Sequence, residues 1–197
     1  GGTSPSDSTL SGPRSVWSDG NRLIVADTGN HRVLVWDTLP TTSFQPASTV
    51  LGQRGFTDAQ PNAGGGSIPS AMSLATPVAV DVNEAGQLAV TDEQNNRVLV
   101  WDRIPAAGVH GQAADQVIGK NGFTEGEANP PSAKTLAEPE GLRFHGTDLV
   151  VVDSENNRVL VWRGTAPPVT PPSPGTAPAL PIPTGPIELP GPGQGAY

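Results

Sequence analysis

The sequence contains no cysteine and only one methionine and one tyrosine, and aromatic residues make up 5% of its 197 positions. Without cysteine, no disulfide framework, zinc ribbon or thiol nucleophile is possible. This absence does not fix the cellular compartment, although it is compatible with a location outside the cytoplasm. No apolar run approaches the roughly 18 residues that a transmembrane helix needs, so we expect no insertion into a membrane.

Positive charge is also scarce, because 11 lysines and arginines stand against 19 acidic side chains and leave a net charge of −8. The basic residues are scattered singly along the chain and form no basic stripe. An acidic surface repels the phosphate backbones of DNA and RNA. Nucleic acid is therefore not an expected partner.

Glycine and proline are the residues in excess, with 24 and 22 copies. Half of the prolines fall within residues 164–197, where Glu188 is the only charged residue. This shift divides the chain into a foldable part, residues 1–163, and an extended, Pro-rich tail of polyproline II type. The tail is either a flexible spacer or an arm that lies along a neighbouring subunit. As an arm it would use its apolar side chains as contacts, namely Leu180, Ile182, Ile187, Leu189 and Tyr197.

One heptapeptide occurs three times: NNRVLVW occupies residues 95–101 and 156–162, and NHRVLVW occupies residues 30–36. Aligned on it, three units start near residues 9, 73 and 135. Each unit contains short β-rich runs bounded by turn residues, such as VAVDV, QLAVTD and RVLVW in the second, and none has a helical period. Both faces of RVLVW are apolar, so we expect this strand to be covered on both sides.

A fourth β-rich run follows each of the first two units, STVLGQ at 48–53 and DQVIGK at 115–120. Successive antiparallel strands that are buried on both faces are typical of the blades of a β-propeller. A second repeated element, GQRGFTDAQPN and then GKNGFTEGEAN, predicts long surface connectors of defined conformation that display Phe56 and Phe123. Residues 1–10 resemble the end of such a connector. The third unit has no visible fourth strand, because prolines follow Trp162.

The turn between the second and third strands of each unit has the pattern Asp-x-x-Asn-x-Arg. Aspartate accepts hydrogen bonds from backbone amides of a turn, asparagine tolerates the left-handed conformation, and arginine is within reach of carboxylates. His31 stands where the other units have asparagine, and we expect it to take the same role. A structural role in the turns is predicted for Asp27, Asn30, Arg32, Asp92, Asn95, Arg97, Asp153, Asn156 and Arg158.

The full pattern, P-x-x-V-x-x-D…L-x-V-x-D-x-x-N-[NH]-R-V-L-V-W, resembles the NHL repeat, a family that builds β-propellers, often six-bladed. The resemblance covers the three units, roughly half of the chain. It implies an all-β protein, a β-propeller of NHL type with about three four-stranded antiparallel blades, an incomplete ring followed by the Pro-rich tail. The long connector makes this repeat larger than the usual one, and three units are fewer than the about four to eight blades of a closed ring.

Three blades would leave two open ends with apolar faces, and the strand at 158–162 would have an unpaired edge. Such surfaces mark interfaces. Two copies could join as three plus three blades, a protein partner could complete the ring or pair with the edge, or the chain could be a piece of a longer propeller. Besides the tail, the predicted partner contacts are Val159, Val161 and Trp162.

No constellation of catalytic or metal-binding residues stands out. The three histidines lack ligand spacing, the turn aspartates do not form a calcium loop, and glycines 64–66 do not form a phosphate loop. Asp19, Asp81 and Asp148 could line a propeller axis, where some NHL-like enzymes hold a metal ion, but a turn role fits them better. We therefore predict no catalytic residues, no cofactor and no metal.

The function predicted from these features is that of a non-enzymatic structural or protein-binding propeller module. It would be a subunit of a larger extracytoplasmic assembly, periplasmic, secreted or on the cell surface, or half of a dimeric ring. The alternative is part of a propeller enzyme, a lyase or hydrolase whose axial site is completed by missing blades.

Overall fold

A computed structural model describes residues 4–164, which form eleven β-strands. The strands are β1 (Ser15–Ser18), β2 (Leu23–Asp27), β3 (Arg32–Trp36), β4 (Thr49–Leu51), β5 (Pro77–Val82), β6 (Leu88–Asp92), β7 (Arg97–Trp101), β8 (Gln116–Ile118), β9 (Pro139–His145), β10 (Asp148–Asp153) and β11 (Arg158–Trp162). Short 3₁₀ segments occupy Thr28–Asn30, Pro61–Gly64 and Glu93–Asn95. Within the described residues, no helix has the length and apolar character needed to cross a bilayer.

The strands form three antiparallel sheets in simple chain order. Strands β1 to β4 make the first sheet, β5 to β8 the second, and β9 to β11 the third. We name these sheets blade 1, blade 2 and blade 3. The arrangement confirms the prediction of an all-β protein with propeller-type blades that do not close a ring. Blade 3 has three strands among the described residues, in line with the prolines that follow Trp162.

The three blades also share one register. In each blade the second and third strands pair from an Asp–Arg pair at the turn to a Leu–Trp pair at the opposite end. Identical pairing means that aligned residues of the three units point to the same side of their blades. The aligned pairs are Asp27–Arg32 and Leu23–Trp36, Asp92–Arg97 and Leu88–Trp101, and Asp153–Arg158 and Leu149–Trp162.

The apolar core lies mainly between neighbouring blades. One cluster joins Val33 and Val35 of blade 1 to Leu88 and Trp101 of blade 2. A second joins blade 2 to blade 3, with Val98 and Val100 against Leu149 and Val151. Every residue of β7 is buried, which confirms the expectation that RVLVW is covered on both sides. On the outer side of blade 1, connecting segments cover Leu34 and Trp36.

The connectors have defined conformations that depend on glycine. Gly52 and Gly119 lie at the same repeat position with φ of +84° and +92°, a region that only glycine enters without strain. A Cβ atom at these positions would lie 2.6 Å from Leu74 and 2.8 Å from Leu136, respectively. The chain therefore leaves the fourth strand directly against the leucine that precedes the next blade.

The two connector phenylalanines anchor the connectors to the blades. Phe56 and Phe123 are partly buried and pack against the apolar clusters. Their benzyl groups close the cores over the third strands. Phe56 also contacts His110 edge to face, with ring centroids 4.7 Å apart.

Candidate protein-interaction site

Each turn between the second and third strands holds an aspartate whose carboxylate is fully used. In blade 2, Asp92 Oδ2 accepts hydrogen bonds from Asn95 Nδ2 at 2.8 Å and Arg97 Nε at 2.7 Å. Its Oδ1 accepts from the Ala75 amide at 2.6 Å. Burial raises the pKa of Asp92, and the charge of Arg97 opposes that rise. The same three bonds recur for Asp27 with Asn30, Arg32 and Ser11, and for Asp153 with Asn156, Arg158 and Ala137.

The backbone donor to this carboxylate is not in the turn itself, where the sequence predicted it. Ala75 precedes β5, so Asp92 ties the entrance of its blade to the end of the second strand. A hydrogen bond from an amide within the turn would stabilise only the turn itself. This longer connection explains why an ionised carboxylate is retained at a buried position, since its charge and its hydrogen-bonding capacity are both satisfied.

The arginine of each turn donates hydrogen bonds to backbone carbonyls of the connectors. Arg97 donates from Nη2 to the carbonyls of Ser70 and Ser73, at 2.9 and 3.0 Å, and from Nη1 to the carbonyl of Phe123 at 2.6 Å. One guanidinium thereby fixes the connector that enters its blade and the one that leaves it. Arg32 makes the same contacts with Phe56, Ser6 and Thr9. Residues 6–9 thus occupy the place of a connector end, as the sequence suggested.

Arg158 makes only part of this network within residues 4–164. Its Nη2 donates to the carbonyls of Ser132 and Thr135, at 2.7 and 2.8 Å, which belong to the entering connector. No described carbonyl meets its Nη1. Its side chain is 27% exposed, whereas those of Arg32 and Arg97 are fully buried.

We call the contact between two neighbouring blades a joint, and in blades 1 and 2 the residue after the turn asparagine takes part in one. His31, Asn96 and Asn157 have φ of 52°, 54° and 52° and are the left-handed residues of the turns. The sequence predicted this conformation one residue earlier, at Asn30, Asn95 and Asn156, which is wrong. Those three asparagines instead hold their aspartates, and the chain reverses at the residue immediately before the third strand.

The side chain of the left-handed residue reaches the next blade. The Thr76 amide donates to His31 Nδ1 at 3.0 Å, and the Glu138 amide donates to Asn96 Oδ1 at 3.0 Å. His31 therefore does what asparagine does in the second unit, as expected. Burial lowers the pKa of His31, which favours the neutral ring that can accept this bond. Asn157 is exposed and has no corresponding donor among the described residues.

Blade 3 presents an open apolar face. Val152, Val159 and Val161 are 42%, 57% and 47% exposed. The aligned residues of blade 1, Ala26, Val33 and Val35, are fully buried against blade 2. Strand β11 also has no partner on its outer edge within residues 4–164, where β3 has β4 and β7 has β8.

The corresponding face of blade 1 is covered by connecting segments over Leu34 and Trp36 and is open around Val16. Val16 is 66% exposed, whereas Val80, at the same repeat position in blade 2, is 6% exposed and packs in the cluster between blades 1 and 2. A shallow groove of about 400 Å³ surrounds Val16. It is lined by Leu10, Pro13, Arg14, Ser15, Val16, Leu23 and Val25.

The predicted partner contacts fall on different sides of blade 3. Val159 and Val161 lie on the open face. Trp162 does not, because side chains alternate along a strand: it packs toward blade 2 and lines a cavity of about 300 Å³ beside Phe144. The predicted tail contacts lie outside the described residues: Leu180, Ile182, Ile187, Leu189 and Tyr197.

The three aspartates considered for an axial metal site have separate protein partners. Asp81 is buried, and its Oδ2 accepts from the Phe144 amide at 2.7 Å, so it links blade 2 to blade 3. Asp19 pairs with Arg22 at 2.8 Å. Asp148 pairs with Arg163, and this hydrogen bond lowers the pKa of the Asp148 carboxyl. Within residues 4–164, no group of three or more acidic, histidine or cysteine side chains could hold a metal ion.

Comparison with known proteins agrees with this architecture. Residues 10–36 match the family described as NHL repeat. The match runs from the leucine before β1 to the tryptophan that ends β3, so it covers three strands and the turn of blade 1. The second and third units have the same strand order and the same turn hydrogen bonds. No curated protein matches the chain in sequence.

Proposed function

We propose that this chain of NHL-type blades is a non-enzymatic structural or protein-binding module whose open ends are completed by protein. The carrying observation is the contrast between aligned valines. Val33 and Val98 are fully buried at the two internal joints, whereas Val159 is 57% exposed on blade 3. Exposed apolar surface on this scale is typical of interaction sites.

The mechanism we propose is surface complementarity. A partner would cover the valines of blade 3 as blades 2 and 3 cover those before them. Its backbone could also pair with the outer edge of β11, in the place that β4 takes beside Val33–Val35. A carbonyl of that partner would then meet Nη1 of Arg158, as the Phe123 carbonyl meets Arg97.

The absence of catalysis is part of this proposal and is supported by how the polar side chains are used. The buried carboxylates Asp27, Asp92 and Asp153 each have three protein donors. Both oxygens of each carboxylate are buried and already bonded to protein donors, so these groups serve the fold.

We also propose that the assembly lies outside the cytoplasm. The support is the cysteine-free composition, which makes folding independent of the redox state of the compartment. Protease added to intact cells of the native source should degrade the protein if it lies on the cell surface. Recovery in the periplasmic or secreted fraction would also support the proposal, and recovery only with cytoplasmic markers would refute it.

The interaction proposal is tested by the mass of the protein in extracts of its native source. We expect the wild-type chain to elute in an assembly larger than its own 20.2 kDa, detected with an antibody after size exclusion. Val159→Lys should release the monomer, because a lysine would be buried without a counter-ion. Ile68→Lys is the matched control, since Ile68 is 67% exposed, lies in the connector between blades 1 and 2 and does not line the groove around Val16. A monomeric wild type would refute the proposal.

A further inference from the structure

We propose that both open ends are occupied by a second copy of this chain, bound head to tail, so that blade 3 of each copy joins blade 1 of the other. This inference rests on the proposed function and identifies the partner that the proposed function does not specify. The occupied surfaces are the open face of blade 3 around Val159 and the groove of blade 1 around Val16.

Each internal joint has two sides, one from each of the two neighbouring blades. The side from the earlier blade, here called the giving side, supplies the left-handed turn residue and the valines of the third strand. The receiving side supplies a backbone amide before the first strand and a set of leucines and valines. Blade 1 ends in a receiving side and blade 3 ends in a giving side. The two open faces are therefore the two halves of a joint that the chain already forms twice.

In the part of the chain that the structure describes, each open end has one unpaired member of the hydrogen bond that crosses a joint: a backbone donor on blade 1 and a side-chain acceptor on blade 3. Gly12 has φ of 53°, close to Thr76 at 58° and Glu138 at 47°, the two residues whose amides donate across the internal joints. Among residues 4–164, the Gly12 amide makes no hydrogen bond, and Asn157 Oδ1 accepts none. In the head-to-tail pair, Gly12 of one copy donates to Asn157 of the other.

The apolar part of the joint repeats the internal packing. At the first joint, Ala26, Val33 and Val35 of blade 1 meet Leu74, Val80 and Leu88. The aligned residues at the open ends are Val152, Val159 and Val161 on blade 3, and Leu10, Val16 and Leu23 on blade 1, of which Leu10 is already buried at the edge of the groove. All are aliphatic, and five of the six are identical to their counterparts at the first joint; the exception is Val152, which is larger than Ala26.

Two further features distinguish the head-to-tail arrangement from a pairing of like faces. Thr28 Oγ1 donates to the Pro77 carbonyl at 2.7 Å, and Ser154, its counterpart in blade 3, also has a hydroxyl, which donates to Glu140 at 3.3 Å in the single chain and would turn to Pro13 in the pair. Arg14 and Glu140 share one repeat position, so the head-to-tail copies bring opposite charges to neighbouring first strands. Pairing blade 3 with blade 3 would oppose two acceptors and leave both Gly12 amides unused.

The head-to-tail arrangement of two copies also forms a closed ring. Two copies supply six blades, within the range of about four to eight that closed propellers contain. A head-to-tail contact repeated twice about a two-fold axis forms a ring without a free end. Each copy then contributes one giving side and one receiving side, and both apolar faces are covered.

The experiment is a charge swap on the purified full chain, with mass measured by light scattering after size exclusion. We expect the wild type at about 40 kDa, twice the mass of one chain. Val159→Lys and Val16→Asp alone should each weaken dimerisation by at least about tenfold, because each buries an unpaired charge in both joints. Mixed together they should dimerise again, since the mixed pair has one wild-type joint and one Lys–Asp joint. Ile68→Lys should dimerise like the wild type.

The outcomes separate this inference from the proposed function. If Val16→Asp dimerises normally while Val159→Lys does not, two blade 3 faces meet each other, and the head-to-tail joint is refuted. A purified chain that stays monomeric at all concentrations refutes self-association. A larger assembly in native extracts that still depends on Val159 would then uphold the proposed function with a different protein as partner.

A second pair of variants reads the polar contact directly. Asn157→Gly removes the acceptor at a residue whose φ of 52° glycine accepts without strain, and it should raise the dissociation constant by about tenfold. Asn157→His should retain dimerisation, because His31 accepts the equivalent bond at the first joint. Wild-type affinity in Asn157→Gly would refute the assigned joint, and thermal unfolding checks that both variants are folded.

Discussion

At the scale of single residues, the blades are held by side chains that bind backbone atoms. The guanidinium of Arg97 donates to three carbonyls and one carboxylate, and His31 accepts from an amide of the next blade. Backbone groups are present whatever the local sequence, so these contacts tolerate variation around them. The residues that make the contacts are less replaceable, because their reach and donor geometry are specific.

His31 gives the first joint a histidine-dependent response to pH, whereas Asn96, at the same place in the second joint, does not titrate. Burial lowers the pKa of His31 from its ordinary value near 6.5, and the neutral ring accepts the hydrogen bond from the Thr76 amide. The bond is intact above about pH 6.5. As the pH falls below that value, the unfolded chain takes up a proton before the folded chain does, and stability decreases. His31→Asn should reduce this loss, measured as the difference in thermal midpoint between pH 7.5 and 5.5. Equal losses in both proteins would contradict the assignment.

The arginines should differ in their contribution to stability. Arg97→Gln is expected to lower the free energy of unfolding by about 3 to 5 kcal/mol, because it leaves Asp92 buried without its counter-ion. Arg158→Gln should cost less, since Arg158 is 27% exposed and binds one connector among the described residues where Arg97 binds two. Urea unfolding of the two variants measures both values, and equal losses would refute this ranking.

At the scale of elements, the connectors are as ordered as the strands they join. Their carbonyls are ligands of the turn arginines, and their glycines let the chain pass against a buried leucine. In the first connector Gln53 Nε2 donates to the Gln60 carbonyl, and in the second Lys120 Nζ donates to the Glu127 carbonyl. Different side chains thus close the same loop, which explains why the long repeat is regular although its sequence varies.

Gly119→Ala tests the role of connector geometry. We expect a loss of about 1 to 3 kcal/mol, because alanine is strained at φ +92° and its Cβ would lie 2.8 Å from Leu136. Gly122→Ala is the matched control, since a Cβ there meets no atom within 4 Å. Thermal unfolding compares the two, and a midpoint in Gly119→Ala equal to that of the control would contradict the expectation.

At the scale of the whole molecule, the three blades are not equivalent although their sequences repeat. Among residues 4–164, blade 2 is covered on both faces by its neighbours, whereas blades 1 and 3 each have a face that no other blade covers. Burial in β11 alternates between partly buried and exposed residues, while β7 is buried throughout. The position of a blade among the three therefore decides how much of an identical RVLVW strand is buried.

Hydrogen exchange of the dilute, monomeric chain should show this gradient. Backbone amides of β7 should exchange most slowly and those of β11 most quickly among the third strands, because few buried contacts resist local opening of β11. Mass spectrometry of peptides that cover residues 97–101 and 158–162 makes the comparison on the same five-residue sequence. Equal protection of both peptides in the monomer would contradict this description.

The repeats made the strand order, the blade class and the sidedness of RVLVW predictable. The hydrogen-bond partners of the turns were not, because a carbonyl such as that of Phe123 carries no signal in the sequence. The left-handed residue was placed one position early because Asn95 and Asn96 both tolerate that conformation. Val159, Val161 and Trp162 were predicted together as partner contacts, and only the three-dimensional packing shows that the valines lie on the open face while Trp162 packs toward blade 2.

The joint between blades has a consequence for how such a chain diverges. Thr76 and Glu138 offer the amide at the two internal joints and share no side-chain chemistry, because the bonded atom is a backbone nitrogen. Gly12 has the same positive φ. A substitution that keeps this φ and the amide hydrogen therefore keeps the hydrogen bond. Units can therefore be duplicated, exchanged or inherited from different ancestors and still assemble, which leaves the rest of each blade surface free to evolve new specificities.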